Sequence, residues 1–592
     1  MPKQLYNWKR FWCPPTSSFS LADGGYLSDP DSNYGRYFNP DVVSFEAIAE
    51  TPCLVLLGEP GMGKTHAMRA EANAIRAQVQ AQGAQTLLLD LRSYGSEDRL
   101  VAALFENDAF RACANGECDL HLFLDSLDEC LLRIDTVAAL LVDELRKYPT
   151  GRLRLRIACR TADWPNGLEE GLRALWGEAA VGVYELVPLR KADVAEAARA
   201  VGLPSDAFMD EIDRISVVPL AIKPITLDFL LRTYGKSGGL PSTQADLYHE
   251  GCRLLCEETS QSRRDAQRTG DYTAQQRMAI AARIAAVTIF ANRYAIWTSI
   301  DRGDVPDENI TITELCGRGE PLDGEQVAVT DAAIRETLST GLFSSRGPHR
   351  MGWAHQTYAE FLAAWYLVRH DVALGQAMSL IVHPGDPDGK LVPQLHETAA
   401  WLASLQPDVF RKITKTDPEV PLQSDVAAAC EEDRAELVDT LLRSCRDGPP
   451  EFASRTHFRK LAHPGLPEQL RAYIADQQQN LWVRYVAMDV AKACELRELQ
   501  SLLAQIALDP SEALDVRVNA ARAVGRVGDA ETKATLKPLA VNEIVEDNED
   551  QLKGASLRAT WPDHVNAAEL FAALTPPKRP SLYGTYHGFM TT

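Results

Sequence analysis

The sequence predicts an α/β domain, a mostly parallel sheet covered by helices, followed by a long all-helical region. Three observations carry this reading. From residue 51 to about 200, short β-like runs alternate with helix-like stretches at the pitch of strand–helix–strand units. A glycine-rich loop joins the first of those runs to a helix. From about residue 376 onward the chain is rich in Ala and Leu, with helical spacing and no β-like runs.

Composition narrows the class. A chain of 592 residues allows several domains of ordinary size. With 45% apolar and 24% charged residues, it is neither collagen-like, wholly disordered nor a disulfide scaffold. Its 61 basic residues against 82 acidic ones give a net charge of −21, which disfavours general nucleic-acid binding. The 12 cysteines form no CxxC, so reduced thiols and a cytoplasmic setting are expected. The opening residues MPKQLYNWKRFWCPP lack the apolar stretch of a signal peptide. The best apolar run, Ala279 to Trp297, is interrupted by Arg283 and Arg293 and reads as a buried helix, so no membrane partner is expected.

Residues 1–50 are dominated by Gly, Pro, Ser, Asp and aromatics and read as loop, too short for an independent catalytic domain. The β-like runs are CLVLL (53–57), TLLLDL (86–91), LHLFLD (120–125), LRLRIA (153–158) and VYELVPL (183–189), with helices expected over 64–80 and 134–147. Residues 191 to about 260 read as helical, and 270–372 mixes helices with a β-like segment over 341–353. VRYVAMDVAKA begins at Val483 and VRVNAARAVGR at Val516, 33 residues later. This spacing predicts stacked helix pairs of the HEAT type, with an irregular helical bundle as the alternative. The end, YGTYHGFMTT, shows no capping helix, so an array continuing beyond residue 592 is expected.

The chemistry concentrates in one motif. Gly58, Glu59, Pro60, Gly61, Met62, Gly63, Lys64 and Thr65 form a full GxxxxGK[ST] match between the run CLVLL and a helix. Glycines let backbone N–H groups curl around phosphates, and the helix aims its positive end at them. Lys64 reaches the β- and γ-phosphates, Thr65 offers a hydroxyl to Mg²⁺, and His66 completes the expected nucleotide-binding set. The run HLFLD ends in Asp125, which places a carboxylate beside that loop as the second Mg²⁺-shell group. Asp128 and Glu129 follow, and either can orient or deprotonate the attacking water, with Glu129 favoured. Arg160 ends the next run, where ligands bind in open α/β sheets, and can sense the γ-phosphate. Arg152, Arg154 and Arg156 alternate on that run and are expected to pair with acids or to lie near a solvent edge. The basic cluster Arg455–Lys460 reads as a solvated helix face. GxSxG, HExxH and EF-hand patterns are missing.

Taken together, GEPGMGKT, LFLDSLDE and the run ending in Cys159-Arg160 resemble a NACHT-type NTPase of the STAND class. Lys223-Pro224 with the residues after it resembles that family's helical-domain proline motif, Leu240 to Tyr248 its LPxxxxxLY segment, and His355 to Ala364 its winged-helix H-x-x-x-x-EFLAA segment. The match runs in order from about 40 to 372. It implies an N-terminal extension over 1–50 without a recognisable effector domain and an NTPase core over 51–200. A helical domain over 201–265, a winged-helix-like domain over 266–375 and a HEAT-like sensor region over 376–592 would follow. By the same resemblance, Pro224 packs on the adenine and His355 hydrogen-bonds the β-phosphate of ADP.

The resemblance implies an ATP/ADP-operated signalling switch with slow hydrolysis. A protein or other macromolecular trigger would bind the C-terminal repeats, the chain would form a homo-oligomer on exchange, and the effector would be a separate protein or lie beyond residue 592. Innate immunity, as anti-phage defence, is the implied setting. The alternative is an AAA+-like remodelling ATPase with continuous turnover. A DNA-binding regulator is disfavoured by the net charge of −21, and a vestigial scaffold by the intact Lys64, Thr65, Asp125 and Glu129.

Overall fold

Apolar residues on alternating faces decide how the first sheet is buried. In β3 (Cys53–Leu57), Cys53, Val55 and Leu57 enter one core, while Leu54 and Leu56 enter the other. A strand apolar on both faces must be covered on both, as in parallel α/β sheets. In this computed structural model, β3 lies between β7 (Val181–Leu186) and β6 (Leu153–Ala158), followed outward by β5 (Leu120–Asp125) and β4 (Gln85–Asp90), all parallel. The helix Lys64–Val79 covers one face through Met68, Ala72 and Ile75. The helix Ile134–Leu145 covers the other through Val137, Leu141 and Leu145.

The described residues are 8–79, 84–130, 132–241, 243–257, 270–299, 305–346, 349–423, 425–426, 429–445, 455–579 and 584–590. Residues 1–7, residue 80 of the expected first helix and the expected domain boundary at 265/266 lie outside them. The side chains of Arg455 and Thr456, at the start of the basic cluster, also lie outside.

The N-terminal segment, with helices Asn33–Phe38 and Phe45–Ile48, the C-terminal end, with a helix Thr585–Met590, and Arg156 differ from the sequence reading. Residues 11–13 and 43–44 are not loop: β1 (Phe11–Cys13) and β2 (Val43–Ser44) extend the sheet on the β7 side in antiparallel pairing, giving the order β2-β1-β7-β3-β6-β5-β4. Strands this short carry no periodicity, and pairing with a distant edge creates them. Arg156 also differs: it is fully buried and donates to the carbonyls of Ala49, Pro52 and Leu155, not to acids. Burial pushes its pKa down to about 10. Its neighbours behave as expected, Arg154 pairing with Glu50 at 3.0 Å and Arg152 with Asp119 at 3.7 Å.

The chain divides into two compact units, Met1–Val372 and Ala373–Thr592. In the first, helices from Lys191 to Leu255 follow the sheet. A four-stranded sheet comes next, ordered β12 (Phe343–Ser345), β13 (Arg350–Trp353), β8 (Ala295–Trp297), β9 (Asn309–Thr311). A separate hairpin pairs β10 (Gly317–Leu322) with β11 (Glu325–Val329). The helix Ala274–Phe290, begun by a Thr273/Gln276 capping box, is buried along most of its length. Among the described residues no helix is long and apolar enough to cross a membrane.

Among the described residues, the regular structure of the second unit is helical apart from one isolated bridge, Val382 with Leu391. The two related segments fall on the helices Leu481–Ala493 and Leu514–Val527. Arg484 and Arg517 hold equivalent places: each guanidinium is buried and donates to the carbonyl ten residues earlier, Ile474 and Ala507. Each also pairs with a glutamate of the following turn, Arg484 with Glu512 and Arg517 with Glu546.

Candidate functional site

The loop after β3 bends back on itself through two glycines with left-handed backbone, Gly61 (φ +78°) and Gly63 (φ +90°), a region that residues with a Cβ rarely enter. A Cβ on Gly61 would lie 2.7 Å from Ile225, so the loop also needs the missing side chain to pass under the helix Pro224–Ser237. Lys64 folds over the loop and donates to the carbonyls of Gly58 at 2.5 Å and Glu59 at 3.1 Å. Burial lowers its pKa, and Asp128 opposes that shift. This ammonium already sits where phosphate oxygens would replace two carbonyl acceptors. Met62 turns its side chain into the core while its carbonyl accepts from Arg10.

Parallel strands deliver the acids to the same edge. β5 ends at Asp125, whose Oδ1 accepts from the Thr65 hydroxyl at 3.3 Å. Its Oδ2 is buried without a hydrogen-bond partner among the described residues. Burial, reinforced by Asp90, raises the Asp125 pKa. A desolvated carboxylate with an orphaned oxygen next to a threonine hydroxyl fits Mg²⁺, which takes few protein oxygens and completes its shell with phosphate and water. Ser126, at φ +61°, then turns the chain sharply so that Asp128 and Glu129 face back toward the loop. Non-glycine residues held in that region cluster at functional sites.

Arg160 gathers those acids. Its backbone N–H donates to Asp128 Oδ1 at 3.0 Å, its Nε lies 2.9 Å from Asp128 Oδ2, and its Nη2 lies 3.5 Å from Glu129 Oε1. Asp128 is therefore locked at two points, whereas Glu129 is more open and lies between Arg160 and Arg92, the latter 3.8 Å away. Arg92 follows β4 and is fixed by Asp90.

A cavity of about 390 Å³ unites these groups. Glu59, Pro60, Gly61, Gly63, Lys64, Thr65 and His66 line it from the loop side, and Asp125, Asp128, Glu129 and Arg160 from the strand ends. Pro224, Ile225 and Asp228 close it from the helical side. Gly58 and Met62 shape the loop but do not line the cavity, and neither does His355. His355 instead caps the helix Gln356–Arg369, with Nδ1 accepting from the Thr357 N–H at 3.2 Å, and burial lowers its pKa to about 4.

Trp8, Arg10, Arg92 and Asp228 are among the lining residues that the sequence reading did not assign to the site. Arg10 is anchored by the carbonyls of Met62 at 2.7 Å and Val187 at 2.8 Å, and burial lowers its pKa to about 10. Trp8 and Arg10 reach the site only because β1 pairs with β7, a contact across more than 170 residues. Arg92 carried a usable signal, since it follows directly on the C-terminal end of a parallel strand.

No protein-family model matches the chain, and no curated protein matches it. Among solved structures, a RuvB variant from Thermotoga maritima is similar at 13% identity and a TM-score of 0.27, over 53% of this chain and 88% of that one. Cdc6p from Pyrobaculum aerophilum is similar at 14% identity and 0.24, over 54% and 87%. A Walker-type ATPase of Pyrococcus abyssi is similar at 14% identity and 0.29, over 58% and 98%. With TM-scores this low, the assignment to a phosphate-loop α/β domain rests on the chain's own strand order, loop and acids.

Proposed function

We propose that the chain is a NACHT-type, ATP/ADP-operated switch that hydrolyses ATP slowly. The observation that supports it is the single cavity in which the phosphate loop, the Thr65–Asp125 pair, the Arg160-bound acids and the Pro224 end of a helix meet. In this reading, Lys64 leaves the Gly58 and Glu59 carbonyls for the β- and γ-phosphates. Thr65 and Asp125 hold Mg²⁺, which neutralises charge developing on the phosphoryl oxygens. Glu129 orients the attacking water and accepts its proton, and Arg160 senses the γ-phosphate. Trp8, Pro224 and Ile225 offer apolar surface for the base. His355 reports the nucleotide state without lining the cavity, from its place at the start of the helix Gln356–Arg369.

The resting contacts support slow turnover. Glu129 faces two guanidiniums and Lys64 is turned inward, so both must be rearranged before chemistry. The helical unit Ala373–Thr592 is proposed to receive a macromolecular trigger, the exchanged form to assemble into a homo-oligomer, and a separate effector to read the assembly. Anti-phage defence is the setting the resemblance favours.

The test is to denature purified protein to which no nucleotide was added, identify what is released by chromatography, and measure particle mass by light scattering. Near-stoichiometric ADP in a monomer is expected. An empty site with rapid ATP turnover in a preformed ring would instead establish a continuously working remodelling ATPase.

A further inference from the structure

The loop Gly58–Thr65 is held from outside its own domain core by Lys223, to which the sequence reading gave no role of its own. Lys223 is 3% exposed. Its ammonium pairs with the Glu59 carboxylate and donates to the Gly341 carbonyl at 2.7 Å. It also lies 5.5 Å from the ring centre of Tyr358, two residues into the helix that His355 caps. Gly341 sits against the same loop: a Cβ there would meet the Pro60 carbonyl at 3.3 Å and Leu255 at 3.0 Å. One buried ammonium therefore joins the phosphate loop, the start of the Pro224–Ser237 helix and the turn that leads into β12.

Charge explains why a lysine is needed. Glu59 lines the nucleotide cavity, and an unpaired carboxylate there would repel phosphate oxygens in a poorly solvated site. The Glu59 backbone carbonyl is also one of the two acceptors that hold Lys64. When phosphates draw Lys64 away, the change falls on the residue whose side chain Lys223 grips.

We propose that Lys223 is the positioning residue that couples the phosphate loop, through Glu59, to the segment 340–346. It neutralises Glu59 beside the phosphates, and it passes the loop's state to Gly341 and so to β12. This rests on the nucleotide-switch reading above and gives it a physical link from the loop to the four-stranded sheet.

Four versions of the 592-residue chain test it: wild type, Lys223→Gln, Glu59→Gln and the double variant. Each is measured for ADP affinity and for hydrogen exchange in 340–346 with and without ADP. In wild type, ADP is expected to change exchange in that segment. Lys223→Gln should weaken ADP by roughly tenfold, because Glu59 is left anionic beside the phosphates. The double variant should regain most of that affinity, a coupling that general destabilisation would not produce. All three variants should bind ADP without the exchange response. The proposal is overturned if the double variant is as weak as Lys223→Gln, or if the response survives in Glu59→Gln. It is also overturned if wild type binds ADP with no response in 340–346. Wild type that binds no ADP at all removes the nucleotide reading itself, and this inference with it.

Discussion

At the scale of single residues, the structure separates two acids that the sequence left side by side. Asp128 is 3% exposed and held by Arg160 at two points, so its substitution acts first on stability. Losing one partner of a buried ion pair costs about 3–5 kcal/mol. Asp128→Asn should therefore lower the melting temperature and weaken nucleotide binding together. Glu129 is more open and faces the cavity, so Glu129→Gln should bind ATP within about threefold of wild type and lose single-turnover hydrolysis by roughly 10²-fold or more. Normal turnover in Glu129→Gln would move the water-handling role to Asp128. Lys64→Ala, by contrast, should abolish measurable nucleotide binding in equilibrium dialysis. Acidity offers an independent check. Burial and the nearby Glu59 push the Glu185 carboxyl up to about 7, and burial with Glu46 does the same to Glu71. A carboxyl raised by folding stabilises fully below its unfolded value of about 4.5 and loses that contribution as pH climbs through 7. Glu185→Gln should thus gain stability relative to wild type as pH rises from 5 to 8 in urea melts. A constant difference across that range would show that Glu185 does not titrate there. Comparing variant with wild type cancels the opposite trend of buried His121 and His355. Burial lowers both to about 4, so their stabilisation falls as pH drops from 6.5.

Elements show which parts of the molecule local sequence can specify. The five parallel strands were legible because each holds closely spaced apolar residues bounded by turn residues. Their observed limits lie within two or three residues of the expected ones. Thr65, Asp125, Glu129 and Arg160 were legible because sheet topology forces strand ends to one edge, so loop and strand-end motifs become neighbours automatically. What stayed hidden depends on long-range pairing. β1 spans three residues and exists through its partner β7, so Trp8 and Arg10 could not be assigned to the site. The interior arginines divide in the same way. The Val-Arg pairs at 483 and 516 pointed to related segments, yet not to the reach of each guanidinium to a glutamate 28 or 29 residues on. That ladder makes unequal predictions. Arg484 and Glu512 are 2% and 6% exposed, so Arg484→Met strands a buried carboxylate and should cost about 3–5 kcal/mol. Glu546 is 51% exposed and water replaces its partner, so Arg517→Met should cost only about 1–2 kcal/mol, mainly from the lost Ala507 contact. Equal losses in chemical denaturation would refute this burial argument.

The whole molecule poses the question of whether its two units respond as separate bodies. The nucleotide cavity lies entirely within Met1–Val372, and the Arg484–Glu512 pair entirely within Ala373–Thr592. A ligand that binds only the native form stabilises the cooperative unit that contains its site, by about 2.7 kcal/mol at a concentration of 100 times Kd. If the units unfold independently, calorimetry of the intact chain should show two transitions. Saturating ADP with Mg²⁺ should raise one of them by a few degrees and leave the other in place. Arg484→Met supplies the converse perturbation, lowering the second transition and leaving the ADP-sensitive one unmoved. The combined experiment assigns each transition to a unit without cutting the chain. It also bears on the proposed switch, because a trigger bound to one unit would act on nucleotide in the other only through a free energy shared between them. If ADP raises both transitions in wild type while Arg484→Met confines the rise to one, that shared energy passes through the helical array. If ADP moves only the first transition in both proteins, the resting chain carries no such coupling, and the proposed trigger would have to create it on binding.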